Sequence, residues 1–330
     1  MGLAMICRAE QGGVSSQLWE IYRHVQPDKA LILTLADEPR GRPRLGRYAL
    51  PGCEHRVSPH HPIDMETLDW LLDGTHTVFT VEGPYDNRLP TLCAQRHVRL
   101  VYHANPELWD DRYRGATTKV WLPTVWEARR VKDSEVMRMP VDRERCKYRE
   151  RSEAKTFLLP YGPAFHDRNG RDLFLAASDL VTSDVRLVVG GMHPTDATHP
   201  RVEHSGEVED YWQLYDDADV LVLPRRYGGL SLCIQEAAAC GLPIVTLDLP
   251  PYNTEVHRAG LVPTTWAYMA RMRGGRFEVH NCAPEALAET IDRLASTPDL
   301  VAEMSAHSDR FAATLDWEFH VERWRARLHR

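Results

Sequence analysis

The chain has 330 residues, 43% hydrophobic and 26% charged, which is room for two ordinary domains and speaks against disorder as the default. A formal net charge of −7 argues against a dedicated nucleic-acid binder, because neutralising phosphates takes a basic surface. Seven cysteines, widely spaced and without a Cys-x-x-Cys pair, suggest neither a disulfide framework nor a structural zinc site. No apolar run approaches the roughly 20 residues that span a bilayer. The opening MGLAMICRAE lacks a basic stretch followed by a long apolar core, so a cytoplasmic chain without membrane insertion is expected.

Short β-branched apolar runs alternate with amphipathic stretches along the chain, the pattern of α/β domains on mainly parallel sheets. Strands are predicted at 30–35, 76–82 and 98–103, then at 155–160, 185–191, 219–224 and 242–248. Helices are predicted where apolar residues recur every three to four positions: Ser15 to Val25, Met65 to Leu72, Gly170 to Val181, Val208 to Asp216, Ser231 to Cys240 and Pro284 to Ala295. The stretch LDWEFHVERWRARL sets Trp317, His320, Trp324 and Leu328 on one helical face that needs a surface to pack on. Met139-Pro140-Val141-Asp142 leads into RERCKYRERSEAK, which has no apolar periodicity and fits an interdomain linker, so the boundary is placed near residue 140. From Arg112 to Lys155 thirteen Lys or Arg stand against seven Asp or Glu, as a solvated face or a surface for an anionic acceptor would have.

Residues 218–248, ADVLVLPRRYGGLSLCIQEAAACGLPIVTLD, join a buried strand ending at Leu223-Pro224, a turn with Gly228 and Gly229, and a helix opened by Ser231 that stops at Cys240-Gly241. Glycines there let the backbone approach a ligand closely, and free N–H groups at a helix start favour a diphosphate. Glu236, inside that helix, can accept hydrogen bonds from ribose hydroxyls. The plainer alternatives are a tight turn for the glycine pair and a solvated helix position for Glu236.

The whole segment resembles the donor-site signature of the large retaining glycosyltransferase family 4, the group 1 glycosyl transferases. VEGPYDNRLP, VYHANPELW and VWLPTVWEA also look like segments of a phage and actinobacterial branch of that family. The resemblance implies an α/β GT-B fold, with two Rossmann-like doubly wound domains facing a cleft. Residues 1–139 would be the acceptor side, with helix 315–330 packing back onto it, and 140–314 the donor-binding domain. It also implies hexosyl transfer from a nucleoside diphosphate, UDP or GDP, to an acceptor hydroxyl with retention. No cofactor or metal would be required beyond the nucleotide sugar as co-substrate, and the setting would be cytoplasmic, the host's if phage-encoded. A protein, a glycan and a modified DNA base remain open as acceptor.

Residue by residue, Glu236 matches the family's second glutamate and AAACGLPIV the stretch after it, whereas Gly228 stands where the first glutamate would touch the donor hexose. Arg226 or Tyr227 is then expected at that edge of the sugar, and Gly229, Leu230 and Ser231 at the diphosphate. PYGPAFHDRNGRDLFLAA resembles the first loop of the donor domain: Gly162 is kept, Pro163 replaces an arginine, and Arg168 stands at the family's lysine as a phosphate ligand. Gly206 to Val208 would line the base pocket, and Gly12-Gly13 resembles the first loop facing the diphosphate.

Glu82, Tyr85 and Asp86 follow one predicted strand and His103 ends the next, where open α/β sheets bind ligands. Glu82, Asp86 and His103 are the candidate catalytic residues; turn residues and a backbone-bonded histidine are the structural alternatives. Asp217-Ala218-Asp219 has the Asp-x-Asp form of a manganese site, but Asp219 opens a buried strand, so a capping role is expected. His60-His61, in a Pro-rich loop, is expected to be exposed rather than metal-bound. A hydrolase or epimerase of the same fold is one alternative, since fold does not fix the reaction; a catalytically silent nucleotide-sugar binder is the other, because Gly228 and Pro163 replace polar family residues.

Overall fold

The structure, a computed structural model, describes residues 2–9, 12–34, 50–59, 62–161, 165–191, 199–205 and 212–329. It divides into two compact units, Met1–Met139 with Trp317–Arg330, and Pro140–Asp316.

The first unit contains β1 (Gly2–Arg8), α1 (Gly13–Val25), β2 (Lys29–Thr34), β3 (Glu54–Pro59), α2 (Met65–Leu72), β4 (Thr75–Val81), α3 (Leu89–Gln95), β5 (Arg99–His103), β6 (Thr118–Leu122) and β7 (Ser134–Val136). Among the described residues these strands form one parallel sheet, ordered β3-β2-β1-β4-β5-β6-β7. Strand β1 is central, and Leu3 to Cys7 are fully buried, as a parallel strand covered on both faces must be. The apolar opening of the chain, read above only for what it lacks, is therefore the heart of a sheet. The strands expected at 30–35, 76–82 and 98–103 are β2, β4 and β5; β1, β3, β6 and β7 are additional. Edge strands β3 (EHRVSP) and β7 (SEV) carry polar residues because one flank meets water, so they leave no apolar run to find.

The second unit contains β8 (Thr156–Tyr161), α4 (Arg171–Ser178), β9 (Arg186–Gly191), β10 (Val202–His204), α5 (Gln213–Asp216), β11 (Val220–Leu223), α6 (Leu232–Ala239), β12 (Ile244–Leu247), β13 (Leu261–Val262), β14 (Thr265–Met272), β15 (Gly275–Asn281), α7 (Pro284–Ala295) and α8 (Pro298–Ala313). Its parallel sheet runs β10-β9-β8-β11-β12-β13, and β14-β15 is a separate antiparallel hairpin. Of the helix expected over Val208 to Asp216, the described part is α5.

The charged stretch 143–155 is not a free linker. Arg151 is 2% exposed, and its guanidinium donates to the carbonyls of Tyr215 (3.1 Å), Ala218 (3.1 Å) and Cys240 (3.2 Å). Its backbone N–H donates to Ser305 Oγ at 3.0 Å. The absence of periodicity misled because this segment packs through one long side chain rather than along a helical face.

Helix α9 (Trp317–Leu328) belongs to the first unit. Trp317, Trp324 and Leu328 are buried, while His320 on the expected face is only half-buried. Trp317 stacks on His24 at 4.5 Å, and Trp324 meets Phe79, Trp121 and His103 edge-on. Arg325 donates to His24 O, and Arg99 donates to the last-turn carbonyls of Arg327 and Leu328, which no further helical turn satisfies. No helix among the described residues is long and apolar enough to cross a membrane.

Candidate donor and acceptor sites

At the carboxyl end of β11 the chain turns through Pro224 to Ser231, all buried, before entering α6. Gly228 has φ 101°, a left-handed conformation that strains any side-chain-bearing residue. The loop presses on the segment preceding α4: a Cβ on Gly170 would lie 2.3 Å from Pro224 O, so glycine is required by close approach. Arg226 N–H donates to Arg168 O at 2.9 Å and joins the two loops.

The side chains divide the work. Arg226 is buried and donates to Asp172 Oδ2 at 2.7 Å, with Asp167 Oδ2 at 3.5 Å. The Asp167 carboxylate also accepts from Arg171 N (3.1 Å) and Asp172 N (3.0 Å), capping α4. Burial and the adjacent Asp172 carboxyl push the Asp167 pKa up. Burial would raise Asp172 too, but its bonds to Asp167 and Arg226 hold it below the usual range. Arg225, equally buried, donates to Leu230 O at 2.6 Å and Asn169 Oδ1 at 3.3 Å. Both arginines thus brace the loops, which alters the expectation that Arg226 reaches the sugar. Arg168 and Tyr227 are brought together, the guanidinium 5.9 Å from the ring centroid.

Ser231 N–H, expected at the diphosphate, donates to Tyr252 Oη. Tyr252 left no signal in the sequence, since it lies 21 residues away in a separate turn. Glu236 is 8% exposed, not solvated, and its Oε2 accepts from Tyr215 Oη at 2.8 Å. Asp219 Oδ2 accepts from the N–H groups of Lys155 and Thr156, both at 3.0 Å, so it caps a strand start as expected. Gly162, Val208 and the pair His60-His61 lie outside the described residues.

In the first unit, Gly12 and Gly13 open α1, with nothing within 4 Å of a Cβ on either. Glu82 follows β4 with φ 67° and donates its N–H to His103 O at 3.1 Å. Tyr85 Oη donates to Val81 O at 2.9 Å. Burial pushes its hydroxyl well above the ordinary phenol range, an effect that the Arg8 guanidinium, hydrogen-bonded to it, opposes and that Glu82 reinforces. Arg8 ends β1, so a cation, a carboxylate and a phenol meet at adjacent strand ends; the sequence reading missed Arg8 because it missed β1.

Asp86 and His103 take structural positions. Asp86 is buried, accepts from Arg88 N–H and Nε at 2.9 Å each, and opens the turn into α3. His103 is 1% exposed with both ring nitrogens engaged, Nδ1 with Gln17 Nε2 and Nε2 with Met137 O, each at 2.7 Å. The Met137 carbonyl needs a donor, so Nε2 carries the proton and Nδ1 accepts. Burial depresses the imidazole pKa to about 4, against a smaller upward pull from Met137.

The fold is GT-B. The chain is similar to Anabaena HepE in complex with UDP and glucose (TM-score 0.68, 13% identity, covering 99% of this chain and 98% of that one). It is also similar to sucrose-phosphate synthase from Thermosynechococcus elongatus (0.71, 14%, 99% and 98%). A further similar structure is the lipopolysaccharide outer core galactosyltransferase WaaB in its apo form (0.59, 14%, 96% and 96%). No curated protein matches the chain. Residues 158–297, from β8 through α7, match the family described as Glycosyl transferases group 1.

Proposed function

We propose that the protein is a retaining glycosyltransferase that moves a hexosyl group from a nucleoside diphosphate to an acceptor hydroxyl. The observation that carries this is the grouping, inside the family-matched segment, of Arg168 over Tyr227, the braced 224–231 loop, and Glu236 held by Tyr215. Cleaving the anomeric bond builds charge on the departing diphosphate. Arg168 and the amide-rich start of α6 supply fixed positive potential for it, and Glu236 takes the ribose hydroxyls. Retention follows from the family resemblance. UDP is the first nucleotide to test because HepE is described with UDP and with UDP-glucose.

The second unit is the donor side in this proposal, and the first unit offers the acceptor Arg8, Glu82 and Tyr85. Glu82 is retained as the catalytic candidate of the first unit, with Asp86 and His103 as positioning residues. The reaction is metal-independent in this scheme, so excess chelator leaves turnover unchanged; loss of turnover rescued by a divalent cation refutes that part. The deciding experiment is a screen of UDP-, GDP- and ADP-sugars for binding by calorimetry and for hydrolysis. Glu236→Ala is expected to weaken the preferred nucleotide at least tenfold, and unchanged affinity removes the ribose role.

A further inference from the structure

Hairpin β14–β15 stands apart from the sheets, with one face pinned and the other bare. Ala270, Phe277 and Val279 are 2% exposed or less, so this face of the hairpin is covered. The opposite side and the tip show Met269 at 38% and exposed Arg271, Arg273 and Arg276, with Trp266 at 59% near the base. Arg271 and Arg276 are direct cross-strand partners. Like charges in that position destabilise a hairpin, unless an anion sits between them. Among the described residues neither has an ion-pair partner, and Glu278, the one acid of the hairpin, pairs with His280 at 3.3 Å.

In the basic run from 112 to 155, Lys119, Arg129 and Lys132 are exposed, but they are not direct cross-strand partners of one another. Arg112, Arg114, Arg130, Arg143, Arg149 and Lys155 each pair with a carboxylate, and Arg151 is buried among carbonyls. The hairpin is also wired to the donor loops. His280 N–H donates to Arg226 O at 3.2 Å, and the Tyr268 ring meets His166 edge-on at 6.1 Å.

We infer that this hairpin binds single-stranded nucleic acid, a phosphodiester bridging Arg271 and Arg276 and a base stacking on Trp266, which makes a nucleic-acid strand the acceptor class. The inference rests on the sugar-transfer proposal for the word acceptor; the binding itself does not. An exposed indole at one end of a strand face and a cationic pair at the other supply the two contacts by which single strands are held, since every base offers a π-face and every linkage a charge.

The test is fluorescence anisotropy of an end-labelled single-stranded DNA oligonucleotide with the full chain across a salt series, with heparin as an anionic polymer without bases. Binding is expected at low ionic strength and to weaken linearly on logarithmic axes. The double variant R271E/R276E is expected to bind at least tenfold more weakly, with the slope shallower by at least about 0.7 because the bridged phosphate is no longer neutralised. Trp266→Ala should cost about tenfold, as for one stacked base. UDP affinity measured on the same samples stays at the wild-type value, which controls for folding. Any one of three outcomes overturns the inference: no binding at low salt, both variants binding like wild type, or heparin competing as well as an unlabelled strand while Trp266→Ala changes nothing. Failure of the wild-type chain to bind any nucleotide sugar would instead remove the sugar-transfer proposal and leave strand binding standing.

Discussion

Tyr215 Oη donates a 2.8 Å hydrogen bond to Glu236 Oε2, and both residues are buried. The phenol fixes which oxygen of Glu236 points into the structure and so orients the other. A hydrogen bond to a charged group contributes about 1.5–3 kcal/mol. Tyr215→Phe is therefore expected to weaken UDP binding about tenfold in calorimetry while retaining the fold, with Glu236→Ala weaker still. Wild-type affinity in Tyr215→Phe would mean that Glu236 needs no such orientation.

Arg226 joins the two loops through its backbone and its guanidinium. Its side chain is 8% exposed, but its partner Asp172 is 62% exposed, so solvent screens the pair and a fully buried pair's cost does not apply. Arg226→Ala is expected to lower unfolding free energy by about 1–2 kcal/mol in urea titrations. The larger effect should be on nucleotide affinity, because the 165–170 and 224–231 segments lose their brace. A variant that loses stability but binds UDP normally would confine Arg226 to the fold.

His103 gives a pH dependence with a definite sign. Its native pKa is about 4, against about 6.5 in the unfolded chain. Between these values the unfolded chain holds a proton that the native one does not, so stability falls as pH drops from about 6.5 to 4 and does not fall further below that on account of this group. The contribution at stake is on the order of 3 kcal/mol. Urea titrations at pH 7.5 and pH 5 should show the loss in the wild type and a smaller one in His103→Gln; equal losses in both would assign the dependence to other groups.

Trp324 is fully buried against Phe79, Trp121 and His103. Trp324→Ala should destabilise the first unit by about 3–5 kcal/mol. Since Pro140–Asp316 forms a unit of its own, the denaturation curve is expected to separate into two transitions, the earlier one belonging to the first unit. A single transition shifted as a whole would show the two units unfolding together.

Of the inner parallel strands, those such as β4, β9 and β11 were legible because burial on both faces favours an apolar run, whereas β1 and β6, also inner, went unread. The edge strands and the hairpin, half of them facing water, wrote no such run. The backbone of the candidate site was legible: the glycine turn and the helix after it, with Glu236 inside that helix. What occupies the surrounding polar groups was not, because Tyr215, Tyr252 and Arg151 reach their partners only after folding brings distant segments together. Arg226 and His103 show the same limit, since their residue types suit ligand contact and only packing reveals that each is already committed.

The membership of α9 in the first unit has a consequence for how the chain is made. Residues 140–316 leave the ribosome before Trp317 and Trp324, and can close their own core while the first sheet still lacks two of its largest buried side chains. The first unit thus begins to emerge before the second and is completed only after it. Until α9 arrives, Phe79 and Trp121 have no indole from that helix against them, so the apolar surface Trp324 will cover stays open during that interval.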